Sequence, residues 1–138
     1  MKLRLEKGVY EGETANGVPH GKGKLTYANG DVYEGDFENG YLHGKGKMIK
    51  ADEEYEGDFE NDEYHGKGKQ KYIGYEYKKF VYEGDFKYGA STGYGKLTLT
   101  EGDSYVGDFK NNKFHGYGKL ISDGYVMEGK WEYGEFKG

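Results

Sequence analysis

The 138-residue chain contains no cysteine, one proline and one arginine. Without cysteine there are no disulfides, thiolate metal ligands or thiol nucleophiles. A single arginine leaves almost none of the planar guanidinium groups that recognise phosphate through paired hydrogen bonds. No segment approaches the ~18 consecutive apolar residues of a membrane-spanning helix, and residues 1–8 lack the apolar stretch of a signal peptide. We therefore expect a soluble cytoplasmic protein.

Aliphatic side chains are also scarce. Leu, Ile, Val and Met together number 19, whereas Tyr, Phe and Trp number 24. Low aliphatic content combined with a high net charge indicates disorder, but the net charge here is only −5 and disordered chains are poor in aromatic residues. The composition therefore predicts a folded chain whose apolar surface is mostly aromatic. The slightly acidic balance argues against nucleic-acid binding, which needs clustered positive charge.

Two short sequence elements recur along the chain. The first reads Tyr-Glu-Gly-Asp-Phe at residues 33–37, and the second reads His-Gly-Lys-Gly-Lys at residues 43–47. Copies of the first begin at Tyr10, Tyr33, Tyr55, Tyr82, Tyr105 and Met127. Copies of the second begin at His20, His43, His65, Thr92 and His115. Successive copies of the first lie 23, 22, 27, 23 and 22 residues apart, a period that indicates a repeat architecture.

The repeats account for the whole chain. Residues 2–12 align with residues 119–129, so the chain starts with the second half of a unit and finishes with the first half of another. We expect a single domain composed of a half unit at 1–9, whole units at 10–32, 33–54, 55–81, 82–104 and 105–126, and a half unit at 127–138.

This pattern resembles the MORN repeat family (membrane occupation and recognition nexus), whose core reads Tyr-x-Gly-x-(Phe/Trp)-x-x-Gly-x-x-His-Gly-x-Gly. Residues 33–48 carry this core almost completely. The departures are Thr14 in place of an aromatic residue, Thr92 in place of His, and a third unit about four residues longer than the others. The resemblance implies a scaffolding or protein-binding role, often beside membranes, with phosphoinositide contacts in some members.

Each unit is expected to form a β-hairpin. Strand side chains alternate between the two faces of a sheet, so Tyr33, Gly35 and Phe37 share one face and the acids between them share the other. The Asn39-Gly40 pair is a hairpin turn signal. The predicted fold is all-β: a single elongated, twisted antiparallel sheet of tandem hairpins, with about twelve strands and a length of roughly 50 Å.

The two faces of this sheet differ in chemistry. One face carries aromatic and aliphatic side chains together with the strand glycines, and we expect the glycines to let aromatic rings lie against the backbone. The other face carries acids on one strand and lysines on the next, and such cross-strand pairs contribute about 0.2–1 kcal/mol each. Because no segment has helical periodicity, we expect the aromatic face to stay partly open unless a partner covers it.

Catalytic and metal-binding interpretations fail on spacing. The four histidines occupy one repeat position, so successive copies lie roughly 10 Å apart and cannot share an ion with bonds of ~2 Å. The Gly-Lys-Gly-Lys runs alternate within strands and precede no helix, unlike a phosphate-binding loop. The paired acids recur in unit after unit, whereas acid–base catalysis needs carboxylates in different environments. We therefore expect no enzyme activity, no metal site and no cofactor.

The aromatic face is the predicted binding surface, because Tyr and Trp bring large contact areas at low entropy cost. We expect the partner to be another protein, as an extended peptide or an amphipathic helix, and self-association is a variant of this hypothesis. The predicted lining of the groove is Tyr33, Phe37, Tyr55, Phe59, Tyr82, Phe86, Tyr105, Phe109 and Trp131. The longer third unit brings possible extra contacts, Tyr75, Tyr77 and Phe80, whose alternative role is local packing.

Two other ligand classes stay open. A phospholipid or membrane surface is suggested by the resemblance, but the negative net charge and the matching of lysines by acids disfavour it. Sequestration of a small ligand, such as a sugar or a planar ring, is compatible with stacked aromatic side chains, although no motif identifies the ligand.

Overall fold

The computed structural model describes residues 1–73, 79–99 and 102–138. Within these residues the chain forms thirteen β-strands and no helix. The strands are β1 (Lys2–Leu5), β2 (Gly8–Ala15), β3 (Val18–Tyr27), β4 (Val32–Glu38), β5 (Tyr41–Ile49), β6 (Glu53–Glu60), β7 (Glu63–Tyr72), β8 (Phe80–Lys87), β9 (Ala90–Leu99), β10 (Ser104–Lys110), β11 (Lys113–Ser122), β12 (Tyr125–Glu132) and β13 (Glu135–Phe136). Each strand pairs with the next one along the chain in a single open antiparallel sheet. The predicted fold class is confirmed.

The sheet has one strand more than the twelve expected. After β12 the chain turns at Tyr133 and Gly134, whose φ angles of 47° and 89° are both positive. Strand β13 then returns and pairs Phe136 with Trp131, and the two rings pack with their centroids 5.0 Å apart. This aromatic contact holds β13 against β12. The expected number of twelve strands assumed one strand for each half unit and therefore did not include β13.

Tight turns connect the two strands of each hairpin. Both central residues of these turns have positive φ, as type I′ turns require, and such turns match the right-handed twist of the flanking strands. At Asn39 and Gly40 the φ angles are 50° and 87°. The corresponding pairs elsewhere are Asn16–Gly17, Asn61–Asp62, Tyr88–Gly89, Asn111–Asn112 and Tyr133–Gly134, and Asp123–Gly124 has the same positive φ angles between β11 and β12. The predicted turn at Asn39-Gly40 is confirmed.

The outer face of the sheet alternates in charge from strand to strand. Glu34 on β4 lies opposite both Lys24 on β3 and Lys47 on β5, and Asp58 on β6 forms an ion pair with Lys45 on β5. The same ion pair recurs in Lys22–Asp36 and Lys67–Asp85. Exposed pairs of this kind contribute only about 0–1 kcal/mol each, so their main effect is to favour the observed strand register.

The inner face is built on contacts between tyrosine rings and glycines. Gly68 on β7 lies opposite Gly57 on β6, and a Cβ atom added to Gly68 would overlap the ring of Tyr55. The Tyr55 hydroxyl donates a hydrogen bond to the Asp58 carbonyl oxygen at 2.7 Å. In the same way Tyr10, Tyr33, Tyr82 and Tyr105 rest on Gly23, Gly46, Gly95 and Gly118. The expectation that the glycines make room for aromatic rings is confirmed.

Candidate partner-binding groove

The acidic residue at the fourth position of the first element stabilises a β-bulge in each whole unit, and it is Asp in four units and Glu13 in the first. The register of β6 and β7 shifts between Gly57 and Phe59, and Oδ2 of Asp58 accepts the Lys67 N–H at 3.1 Å within the bulge. A side chain on Gly66 would crowd that carboxylate. The same register shift occurs in the other four whole units. Because bulges bend a strand and increase its twist, five bulges in register curl the sheet.

The Phe of the motif joins neighbouring units. Phe59 packs edge-on against Tyr55 of its own unit and Tyr33 of the preceding unit, with centroid distances of 5.1 and 5.0 Å. Such pairs contribute about 0.5–1.5 kcal/mol beyond the burial of their area. Repetition of these contacts produces one continuous row of rings, the ring ladder. It runs through Tyr10, Phe37, Tyr33, Phe59, Tyr55, Phe86, Tyr82, Phe109, Tyr105 and Trp131.

The ring ladder contains all nine residues predicted to line the groove. None of the nine is more than 5% exposed. This differs from the expected open aromatic face, because the bulges curl the sheet and each Phe ring packs against Tyr rings of two units. Tyr82, Phe109 and Trp131 still reach the walls of surface pockets. The nine rings therefore form the buried floor of the inner face, and other side chains cover them.

The covering side chains include the residue just before the first residue of the second element, here called the variable position. This position holds Pro19, Leu42, Tyr64, Ser91 and Phe114 in the five whole units. All five residues are buried or partly buried. In the repeat motif this position can hold any residue, so the sequence alone did not identify it as part of the inner face. Its variation in size between otherwise matching units is the signal that could have identified it.

Aromatic residues at the variable position stack on tyrosines of the ring ladder. Tyr64 stacks on Tyr55 with a centroid distance of 3.7 Å, and Phe114 stacks on Tyr105 at 3.8 Å. The Tyr64 hydroxyl donates to the Glu53 carboxylate. Burial, and then this hydrogen bond, raise the pKa of Tyr64 well above its usual range. Tyr64 therefore remains a neutral hydrogen-bond donor that orients Glu53.

A pocket of about 400 Å³, here called the inner pocket, lies beside Ser91, the residue at the variable position of unit four. Ser91 is buried, and its backbone N–H and its hydroxyl both lie within hydrogen-bond distance of Oδ1 of Asn112, at 2.8 and 3.1 Å. The walls of the inner pocket are Glu53, Gln70, Tyr72, Phe80, Tyr82, Gly89, Ser91, Leu97, Phe109 and Asn112. The pocket therefore combines aromatic walls with a few polar groups, as ligand sites do.

The possible extra contacts of the longer third unit are only partly visible. Tyr75 and Tyr77 lie outside the described residues. Phe80 is the first residue of β8, and its ring stacks on Tyr72 of β7 with centroids 5.3 Å apart. Both of these rings line the inner pocket. Phe80 therefore packs locally and also contributes to the surface of the inner face.

The repeated histidines connect the turns of successive hairpins. Nδ1 of His20 accepts the backbone N–H of Asn39 in the next turn at 3.2 Å. In unit four Thr92 replaces His, and its Oγ1 accepts the Asn111 N–H at 3.2 Å. These contacts support the structural interpretation of the histidines. Within the described residues, no three or more His, Asp or Glu side chains are grouped in a way that would hold a metal ion.

Comparison with known proteins agrees with the repeat pattern. A family model for the MORN repeat matches five segments, residues 10–32, 33–53, 55–74, 82–104 and 105–124. These segments cover more than half of the chain. No curated protein gives a significant match. The described part of the chain has no helix long and apolar enough to cross a membrane.

Proposed function

The chain belongs to the MORN repeat family, and we propose that it is a non-catalytic module that binds a partner protein along its inner face. MORN repeats are generally protein- or membrane-interaction modules rather than enzymes. The observation that supports a protein partner here is the inner pocket, a cavity of about 400 Å³ in the middle of the sheet whose walls combine four aromatic residues with polar groups. Binding sites commonly have this size and composition.

The inner face is rigid enough to favour binding. The ladder tyrosines are buried, and the hydroxyl of Tyr82, for example, donates to the Asp85 carbonyl oxygen at 2.8 Å. The side chains that cover the ladder, such as Tyr64 and Phe114, are stacked on its tyrosines, so a partner meets side chains that lose little freedom on association, which lowers the entropic cost of binding. The ring ladder runs across the strands along the length of the sheet, so an extended peptide or an amphipathic helix is the partner form that we propose.

A titration with a selected peptide tests this proposal. Peptides are selected from a display library on the wild-type protein, and binding is measured by isothermal titration calorimetry. Tyr72→Lys places a charge in the wall of the inner pocket without altering the ring ladder, so we expect affinity to fall about tenfold or more, at a cost near 1.4 kcal/mol. Tyr94→Lys, on the exposed outer face, is the matched control and should bind like the wild type.

The outcome that contradicts the proposal is equal binding by wild type and Tyr72→Lys when far-UV circular dichroism shows both to be folded.

A membrane surface is the other class of ligand that MORN repeats generally bind. The outer face disfavours anionic lipid, because its lysines lie opposite acids. Sedimentation with phosphatidylserine vesicles at physiological salt separates the two ligand classes, since salt-resistant binding would favour lipid over protein.

A further inference from the structure

Units three and five fill the variable position with an aromatic ring, and unit four does not. Tyr64 stacks on Tyr55, and Phe114 stacks on Tyr105, in both cases with an interplanar angle of 4°. In unit four the position holds Ser91, and the inner pocket lies beside it. The units on both sides of the pocket therefore show which shape packs on this part of the inner face, and that shape is a planar aromatic ring.

Two polar groups of the inner pocket have hydrogen-bonding capacity to spare. Gln70 lies directly opposite Tyr82, and its side chain makes no hydrogen bond within the described residues. The corresponding residues of the other whole units are Leu25, Met48, Leu97 and Leu120. The Glu53 carboxylate accepts the Tyr64 hydroxyl through Oε2, and a carboxylate has further acceptor sites. A negative carboxylate and an amide oxygen favour a ligand that donates hydrogen bonds.

We propose that the inner pocket takes a tyrosine or tryptophan side chain of the partner protein, an inference that rests on the proposed function. The ring lies against Tyr82 and Phe109, and its O–H or N–H donates to Glu53 or Gln70. The Ser91 hydroxyl donates its hydrogen to Oδ1 of Asn112, so it cannot also donate to the ligand. A large ring with a hydrogen-bonded tip is the kind of side chain that dominates binding energy at protein interfaces.

Filling the pocket from within the chain tests the proposal. Ser91→Phe supplies the ring that Phe114 supplies in unit five, and Ser91→Ala is the matched control because it also removes the hydroxyl but leaves the pocket open. The probes are N-acetyl-tyrosinamide and N-acetyl-phenylalaninamide, followed by amide chemical-shift changes in ¹⁵N-labelled protein. We expect the tyrosine probe to shift Gln70 and Asn112 in wild type and Ser91→Ala. In Ser91→Phe these shifts should disappear and the melting temperature should rise.

A second variant tests the donor requirement separately from the shape. Gln70→Leu restores the residue type of the other units and should remove much of the preference for the tyrosine probe over the phenylalanine probe. Equal probe binding by folded Ser91→Phe and wild type would overturn the proposal, and so would the absence of probe-induced shifts around the pocket in the wild type.

The selected peptide distinguishes this proposal from the broader one. If the peptide binds wild type and Ser91→Phe equally but loses affinity in Tyr72→Lys, the pocket proposal fails and the inner-face function stands. If the tyrosine probe occupies the pocket but the selected peptide binds wild type and Tyr72→Lys with equal affinity, the partner-binding function fails. A loss of peptide affinity of about tenfold or more in Ser91→Phe, with Ser91→Ala unchanged, supports both.

Discussion

At the residue scale, the contact between Tyr55 and Gly68 leaves no room for even one methyl group. Gly68→Ala would push the Tyr55 ring away from β7 and weaken its hydrogen bond to the Asp58 carbonyl. We expect the free energy of unfolding to fall by about 3 kcal/mol, near the upper end of the usual cost of overpacking a core. Urea unfolding monitored by circular dichroism measures this loss.

The matched control for Gly68→Ala is Lys69→Ala on the same strand. Lys69 faces outward opposite Glu83, so its truncation should change the free energy of unfolding by no more than about 0.5 kcal/mol. If Gly68→Ala were as stable as Lys69→Ala, the packing of tyrosine on glycine would not be what requires glycine at this position.

The buried tyrosine hydroxyls make stability depend on alkaline pH. Burial, and then the Asp108 charge, raise the pKa of Tyr105 to about 12, and its hydroxyl donates to the Asp108 carbonyl at 2.9 Å. Because the folded state favours the protonated form, this stabilisation is complete below the unfolded pKa of about 10 and is lost as the pH rises toward the folded value. Tyr105→Phe removes this titrating group together with its hydrogen bond.

At neutral pH we expect Tyr105→Phe to be less stable than wild type by about 1 kcal/mol, the value of one hydrogen bond. Between pH 10 and 12 the wild type loses stability that the variant cannot lose, so the difference should shrink. Urea unfolding at a series of pH values measures it. Phe109→Leu, a core substitution with no titrating group, should keep a constant difference from wild type. If the stability difference between wild type and Tyr105→Phe were also constant from pH 7 to 12, ionisation of Tyr105 would not be a cause of the alkaline loss of stability.

At the scale of single elements, each hairpin tip is bonded to the tip of the next hairpin. The Asp62 N–H in one turn donates to the Leu42 carbonyl in the preceding hairpin at 3.0 Å, and its side chain accepts the Leu42 N–H at 2.8 Å. Asn112 makes the same pair of contacts with Ser91. The second turn residue is therefore Gly where only backbone contact is made, and Asp or Asn where the side chain also bonds.

The first residue of the β8–β9 turn, Tyr88, has a residue type that is unfavourable for its backbone conformation. Tyr88 has a φ angle of 51°, a conformation that Asn and Asp adopt far more readily than Tyr. We expect Tyr88→Asn to raise the free energy of unfolding by about 0.5–1 kcal/mol, because Tyr88 is 70% exposed and its ring makes only exposed contacts with His65 and Lys87. Thermal unfolding should show the gain.

The reverse exchange at Asn39, where φ is 50°, controls for Tyr88→Asn. Asn39→Tyr should lose about the amount that Tyr88→Asn gains, since both exchanges act on the same turn position. Stabilisation by both substitutions, or by neither, would show that side-chain contacts rather than backbone conformation decide the effect.

Hairpin structure could be predicted from the sequence because its determinants lie within one unit. The alternation of Tyr33, Gly35 and Phe37 and the Asn39-Gly40 turn are local signals, and the structure has the expected hairpin there. Burial of the rings could not be predicted in this way. It depends on contacts such as Tyr33 with Phe59, which join different units and form only because the bulges curl the sheet.

The inner pocket could not be predicted from the repeat pattern, for a different reason. A repeat motif describes what the units share, whereas the pocket comes from residues at which units three and four differ from their neighbours, Gln70 and Ser91. The predicted groove residues were the shared aromatic ones, and these form the core. In such a sheet the side chains that a ligand can reach are therefore found where a unit departs from the repeat motif.

At the scale of the whole molecule, stability should follow from neighbouring units alone. Each strand pairs only with the strands before and after it, and the ring ladder links each unit to the next. Arrays of this kind behave as one-dimensional chains of coupled units, in which the position of a weakened interface decides how the array unfolds.

Phe37→Ala and Phe86→Ala test this dependence on position. Both rings are 3% exposed, and each lies edge-on between two tyrosines, Phe37 between Tyr10 and Tyr33 and Phe86 between Tyr55 and Tyr82. Either truncation should cost about 3–5 kcal/mol locally. Phe37→Ala weakens the array near one end, so we expect the first unit to fray while the rest unfolds in one transition.

Phe86→Ala weakens the array in its middle, so the units before and after β8 should unfold in separate steps. Urea unfolding should show a broadened or biphasic transition for Phe86→Ala and a single transition for Phe37→Ala. Hydrogen exchange should then give different opening free energies for β2–β7 and β9–β12 in Phe86→Ala. Identical single transitions with equal m-values in both variants would show that the sheet unfolds as one cooperative body and that coupling reaches beyond neighbouring units.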